Sequence, residues 1–253
     1  MSISCPTARR AALCLVVYLA LSATAAALAA EAGEAESLRT EAYRANLLTA
    51  YEERIVGKRL AYLYEQRHTL LQETATQARL DRIKARLSAQ ASLPGLEIKI
   101  IQGTRPEAVS FPPGYIYITS ALLKVAATDD EMAAVIAHEA AHITNQDLSR
   151  LIALALALSA GERENFPTRR AIVTGQAIWF DFPSGLDEAR LRCEMEADKM
   201  AVSWMERAGY DAQALALLLE SLTARLPLRA QPERVALKAR VKLLRKGSFL
   251  ALR

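Results

Sequence analysis

Histidine and cysteine are both scarce in this chain, three of each among 253 residues. Cys5 and Cys14 fall in an N-terminal segment that reads as a removable leader. The remainder keeps Cys193 alone, so no internal disulfide can form. There is no CxxC pair, no glycine-rich phosphate loop and no internal repeat, which leaves nucleotide cradles and solenoid arrays without support. The formal charge is +4 and drops to +2 without Arg9 and Arg10. That excess is too small and too scattered for a nucleic-acid surface, so no nucleic-acid partner is expected. Beyond residue 30 no apolar run can span a bilayer: Leu151–Ala160 covers ten residues.

The N-terminus carries an export pattern. Arg9-Arg10 is a short basic start, residues 11–22 are apolar, and Ala27-Leu28-Ala29 offers an A-x-A cleavage site. Residues 1–29 are therefore expected to be a signal peptide cleaved near Ala29. The competing reading is an uncleaved anchor over residues 11–30. The mature chain of about 220 residues is long enough for one sizeable core.

Two of the three histidines stand in His138-Glu139-Ala140-Ala141-His142. Residues four apart on an α-helix lie one turn above each other on one face. Two imidazoles so placed can bind one zinc ion and leave positions open for water and substrate. A carboxylate next to the first histidine can take a proton from that water. The surroundings predict the helix this needs. Thr128 is an N-cap candidate with Glu131 three residues on, Asp129 and Asp130 stand in the first turn, and Met132, Val135, Ile136, Ile143 and Leu148 follow at roughly helical spacing. Without context, the same stretch also reads as a buried amphipathic helix with core histidines.

Some fifty residues later comes Cys193-Glu194-Met195-Glu196-Ala197-Asp198. Glu194 and Asp198 are one turn apart and share a helix face. By itself this is equally an ordinary charged surface. Cys193 points about 100° away from Glu194 and is expected to be a small packed residue.

The segment spanning roughly residues 93–245 resembles the HtpX/BepA-like zinc metallopeptidases, HExxH gluzincins related to the CAAX prenyl protease. Four stretches carry the resemblance, in order. Pro112-Pro113-Gly114-Tyr115-Ile116-Tyr117-Ile118-Thr119 looks like the PGGxIxVT strand. Asp129–Ala137 leads into the HExxH. Glu194-x-x-Ala197-Asp198 follows, then the helix end Ala208-Gly209-Tyr210-Asp211. The resemblance implies His138, His142 and Glu194 as ligands of one Zn2+ per chain, Glu139 as general base, and Asp198 as the acceptor for a ligand imidazole N–H. It implies Glu194 rather than Glu196 because Glu194 stands four residues before Asp198.

The departures are specific. Glu107-Ala108 replaces Asn-Ala before the strand, Pro113 replaces a glycine, and Arg190 and Arg192 are out of register with Ser-Arg. Where many relatives have His-Pro this chain has Gln231-Pro232-Glu233-Arg234, and no histidine follows His142. Gln231 cannot act there as an imidazole would but could place an amide oxygen near the metal, as a candidate regulatory residue, and Arg234 and Tyr210 are candidate oxyanion donors. The missing histidine also motivates a rival reading, a catalytically latent zinc-fold chaperone or binding protein.

The expected fold class is α+β, mostly α-helical: a zincin-like catalytic unit with a small β-sheet beside the HExxH helix. Residues 30–92 are expected to be helices packing on a peptidase domain at 93–253. Residues 34–92 read as helical throughout, with Leu47, Leu48, Tyr51, Ile55, Leu60, Leu63 and Tyr64 as one apolar stripe and Leu70, Leu71, Leu80, Ile83 and Leu87 as another. His68 is expected at the surface. Leu96–Ile101 and Tyr115–Thr119 alternate like strands. Tyr115, Ile116, Tyr117, Ile118 and Thr119 are the candidate edge on which an extended substrate would add. Leu151–Ala160 is expected to be a buried helix, with a lid or membrane-touching segment as the alternative. Thr174–Leu186 is a candidate wall or hairpin, residues 187–207 the Glu194 helix ended by Gly209, and the tail two helices broken around Pro227 and Pro232.

The resemblance implies a zinc-dependent endopeptidase of the bacterial cell envelope, in the periplasm of a Gram-negative organism. Its partners would be unfolded envelope polypeptides, with peripheral membrane contact as a further candidate. The chain is identified with the small type that lacks a repeat extension.

Overall fold

The computed structural model describes residues 48–91, 93, 95–158, 186–227 and 230–246. The signal-peptide segment and residues 174–185 lie outside them. In chain order the elements are α1 (Ala50–Glu65), β1 (Leu70–Leu71), α2 (Thr74–Gln90), β2 (Glu97–Ile101), β3 (Ala108–Phe111), β4 (Tyr115–Thr119), α3 (Ser120–Val125), α4 (Asp129–Thr144), α5 (Asp147–Leu158), α6 (Asp187–Arg207), α7 (Gln213–Arg225) and α8 (Gln231–Arg245). The fold is α+β and mostly helical, as expected.

The four strands lie in the order β1-β2-β4-β3, with β2 and β4 parallel and both outer pairs antiparallel. Side chains alternate across the sheet. Ile98, Ile100, Ile116 and Ile118 turn to one face and meet Leu80 and Ile83 of α2 and Met132 and Ile136 of α4. Ile101, Val109, Phe111 and Tyr117 turn to the other and meet Val56, Leu60 and Tyr64 of α1. A sheet covered on both faces wants strands apolar on both sides, which is how Tyr115–Thr119 reads.

That burial corrects two expectations. β4 is an inner strand, paired through Ile98↔Ile116 on one side and Val109↔Tyr117 on the other, so Tyr115–Thr119 offers no edge. Among the described residues the edges are β1 and β3. Residues 34–92 are not helical throughout either: Leu70-Leu71 pairs with Ile100 and Ile101 as β1. Within α1 the buried stripe runs through Val56, Leu60, Ala61 and Tyr64, while Tyr51 is 72% and Ile55 40% exposed. Gly57 lies on that face. A Cβ there would sit 2.0 Å from the Pro112 carbonyl oxygen, so α1 lies directly on the turn between β3 and β4. His68 is half-buried, stacked on Tyr64 at 3.9 Å between centroids.

α4 begins as its sequence predicts. Thr128 Oγ1 accepts from Glu131 N at 3.1 Å, and Glu131 returns a bond from Thr128 N at 3.0 Å. The helix is buried nearly throughout, and Ala133, Ala134, Ala137, Ala140 and Ala141 are fully covered. Ala197 and Ala201 of α6 are covered in the same core. Small residues on facing helices let the backbones approach closely. α4 stops at Thr144, and Gln146 adopts φ 57° before α5 begins. α6 ends at Gly209 with φ 70°, where Tyr210 N donates to Met205 O at 2.9 Å. In α5, Leu151, Ile152, Ala153, Leu154 and Ala155 are buried, so this first half of the apolar run is core, and residues 159–160 lie outside the described residues. Cys193 packs against it, 2% exposed. The tail is two helices, as expected, with the break after Arg225 containing Pro227 and ending just before Pro232, which stands in the first turn of α8, where its missing N–H costs nothing.

Candidate metal centre

α4 and α6 lie side by side, and three side chains converge between them. His138 Nε2 and His142 Nε2 are 3.1 Å apart. Glu194 Oε2 is 3.3 Å from His138 Nε2, and Glu194 Oε1 is 3.6 Å from His142 Nε2. A tetrahedral zinc site with bonds of about 2.0–2.1 Å holds its ligand atoms ~3.3 Å apart. The three separations bracket that value, so the residues fit one ion of this kind.

The far side of each imidazole is held by a carboxylate. His142 Nδ1 lies 2.7 Å from Asp147 Oδ2. His138 Nδ1 lies 3.0 Å from Asp198 Oδ1, off the line of an ideal hydrogen bond. With Nδ1–H facing a carboxylate, each ring presents its Nε2 lone pair inward, the tautomer a metal requires. Glu196 points elsewhere and pairs with Arg150 Nη1 at 2.8 Å.

Arg240 of α8 completes the cluster. It is 1% exposed, and Nε and Nη2 donate to the two oxygens of Asp198 at 2.7 and 2.6 Å. Its Nη1 forms an ion pair with Glu194 Oε2 at 2.6 Å. Burial raises a carboxylic acid's pKa, but the guanidinium outweighs it and holds Glu194 and Asp198 below the usual carboxylate range. Burial opposes a charged imidazole, yet Asp198 and Glu194 outweigh it and raise His138 to about 10. His142 is raised too: burial opposes this, and Asp147 overcomes it. With both imidazoles neutral, as metal ligands must be, three carboxylates and one guanidinium leave an excess of negative charge around the cluster. That field suits a divalent cation.

A cavity of about 600 Å³ opens beside this cluster, bordered by His138, Glu139 and Arg240. Glu139 is 7% exposed on its wall. The structure does not bring Arg234 or Tyr210 to the site. Arg234 Nη1 is held by the carbonyls of Thr223 and Leu226 at 3.1 and 2.9 Å. Tyr210 is packed in the core under Arg86, 4.3 Å from guanidinium carbon to ring centre. Neither borders the cavity, whose buried cation is Arg240. Gln231 is exposed at the first residue of α8, while Ala230 and Glu233 beside it face the cavity.

Sequence reasoning missed Asp147 and Arg240, though each left a signal. Arg240 interrupts the apolar stripe Ala236, Leu237, Val241, Leu244, where a lone arginine needs buried acidic partners. Asn145-Gln146-Asp147 is a polar break between two apolar stretches, with an acid placed for a new first turn.

Comparison with known proteins agrees with this geometry. The chain is 23% identical over 154 residues to the beta-barrel assembly-enhancing protease of Escherichia coli K12, and equally to that of Shigella flexneri. The match covers 54% of this chain and 30% of either relative, so the chain spans under a third of their length. A family model described as Peptidase family M48 matches residues 74–245, from the start of α2 to the end of α8, and takes in every residue of the cluster. The chain belongs to peptidase family M48.

Proposed function

We propose that this protein is a zinc-dependent endopeptidase of the bacterial cell envelope, with one Zn2+ held by His138, His142 and Glu194. The observation that carries the reading is the convergence of three donor atoms at tetrahedral spacing, with Glu139 on the wall of the adjoining cavity. Zinc, when bound there, supplies a Lewis acid for the scissile carbonyl and for water. The chain's own groups do the rest. Glu139 takes the proton from the attacking water and hands it to the leaving amine, so no covalent enzyme intermediate forms. Asp147 and Asp198 keep the two imidazoles in the metal-facing tautomer. Arg240 keeps Glu194 ionised at neutral pH.

Substrate alignment is assigned to β3. In an antiparallel pair, inward and outward backbone groups alternate along the strand. Thr119 N donates to Glu107 O at 3.0 Å, so Glu107 and Val109 face β4 while Ala108 and Ser110 present their N–H and C=O to the open edge. Ala108 also borders the cavity that holds Glu139. An extended polypeptide added along β3 would pass the catalytic carboxylate.

The envelope role is supported by the export pattern of residues 1–29 and by the name of the Escherichia coli relative. The proposed substrates are misfolded or stalled envelope proteins. Among the described residues no helix is long and apolar enough to cross a membrane. N-terminal sequencing of the exported protein tests the leader; an intact Met1 or Ser2 rejects it.

The deciding experiment pairs casein cleavage with zinc content, for the purified chain and for Glu139→Gln. Wild type is expected to hold about one zinc and cleave, and the variant to hold zinc and not cleave. Zinc in both with cleavage in neither makes the site latent. Zinc in neither overturns the reading.

A further inference from the structure

The cavity beside Glu139 has an unusual wall. Its far side is built by Leu215, Leu218, Leu219, Leu222, Leu226 and Leu237, from α7, the segment after it, and α8. Five of these fall at helical spacing on one stripe of α7 and its continuation. Such a stripe is normally consumed by packing. Here part of it fronts an opening of about 600 Å³, several times the volume of a leucine side chain. Leu222 is only half-buried on that wall. The near side is polar and catalytic, with His138 and Glu139, and Ala108 of the open-edged β3 stands on the same boundary.

One wall group lacks a partner. Glu233, in the first turn of α8, is 9% exposed, and its Oε2 is buried without a hydrogen bond. An unpaired buried acceptor is costly, which suits a site completed by a donor arriving with a ligand. A bound polypeptide brings backbone N–H groups. An apolar wall, a free acceptor, a catalytic carboxylate and an open strand edge thus share one cavity.

We propose that this cavity is the specificity subsite for a residue flanking the scissile bond, that it takes a large apolar side chain (Leu, Met or Phe), and that Glu233 accepts a hydrogen bond from the backbone of the same segment. The proposal rests on the peptidase reading above and names the substrate class that site selects. Sequences of this kind are exposed when a protein is unfolded and hidden when it is folded. Apolar selection therefore restricts cleavage to non-native chains without recognition of any one partner.

The test measures binding and cleavage separately. Calorimetry on zinc-loaded Glu139→Gln compares capped tetrapeptides that differ in one side chain, Leu against Ala. The Leu peptide is expected to bind at least about tenfold tighter. Leu222→Trp narrows the cavity and is expected to abolish that preference by weakening the Leu peptide more than the Ala peptide. Glu233→Leu is expected to weaken both peptides alike, because the bond it removes is to backbone. Cleavage sites of wild type in denatured casein, mapped by mass spectrometry, are expected to show Leu, Met or Phe enriched at one flanking position. Equal binding of the two peptides overturns the subsite, as does a loss in Leu222→Trp that ignores side-chain size. Binding of laurate in place of either peptide also overturns it and makes the cavity a lipid site. Absence of casein cleavage with the Leu preference intact overturns the peptidase reading and with it the subsite, leaving an apolar peptide-binding cavity.

Discussion

The two imidazoles are supported in different ways. Behind His138, Asp198 is fully buried and clamped by Nε and Nη2 of Arg240, whose Nη1 pairs with Glu194. Behind His142, Asp147 is equally buried, but among the described residues no buried cation pairs with it. Arg150 Nη1 stands 3.6 Å from it and is 30% exposed, and Glu53 of α1 adds a like charge nearby. The first support is a closed ion-pair cluster inside the core. The second hangs on a helix break at Gln146, whose side chain donates to Glu53 Oε2 at 3.0 Å. One half of the site carries its own counter-charge, and the other depends on what His142 binds.

The sharpest way to break this contrast is Arg240→Leu. Removing the cation leaves Asp198 and Glu194 buried without a counter-charge, at an expected cost of about 3–5 kcal/mol. Denaturant unfolding of the zinc-free protein measures it. A cost near that of a surface substitution would falsify the clamp. Next comes Asp147→Asn. Zinc affinity, by chelator competition, is expected to fall about 10–100-fold, while stability changes by only about 1–2 kcal/mol. If affinity holds, Asp147 has no orienting role.

Metal removal sharpens the comparison without mutation. On chelation, amide exchange in the first turn of α5 is expected to speed up more than in α6 around Asp198. Equal changes would mean the two supports are equivalent. The smallest effect is expected from Glu53→Gln. Burial, with Asp147 adding to it, raises the Glu53 pKa above its ordinary 4.5. A folded-state pKa above the unfolded value means the native form holds the proton more tightly. Stability therefore falls as pH rises from about 4.5 through the raised value. Glutamine keeps an acceptor for Gln146 and removes the charge. The variant is expected to be slightly more stable than wild type at pH 7 and equal to it at pH 4, by thermal melts at both.

Much of the site could be read along the chain because it is built on two helices with local signals. The capping box at Thr128 and the i, i+4 histidines place the HExxH face, and the acidic pair with Gly209 places α6, whose span of Asp187–Arg207 matches residue for residue. The strand roles were not readable. Tyr115–Thr119 has a strand's pattern, but whether a strand is inner or edge depends on partners elsewhere in the chain, here Glu97–Ile101 and Ala108–Phe111. Leu70-Leu71 is too short to announce itself beside helical neighbours.

The sequence by itself determined the helices that carry the candidate ligands and the α+β class, because capping, periodicity and i, i+4 spacing act within a few residues. Tertiary structure alone decided which groups stand behind and beside the ligands. Arg240 reaches Asp198 across 42 positions. Glu53 reaches Gln146 across 93. The leucines of α7 face Glu139 only because the helices pack in this order. Contacts of that range are set by burying apolar surface in one shared core, and no local pattern encodes them.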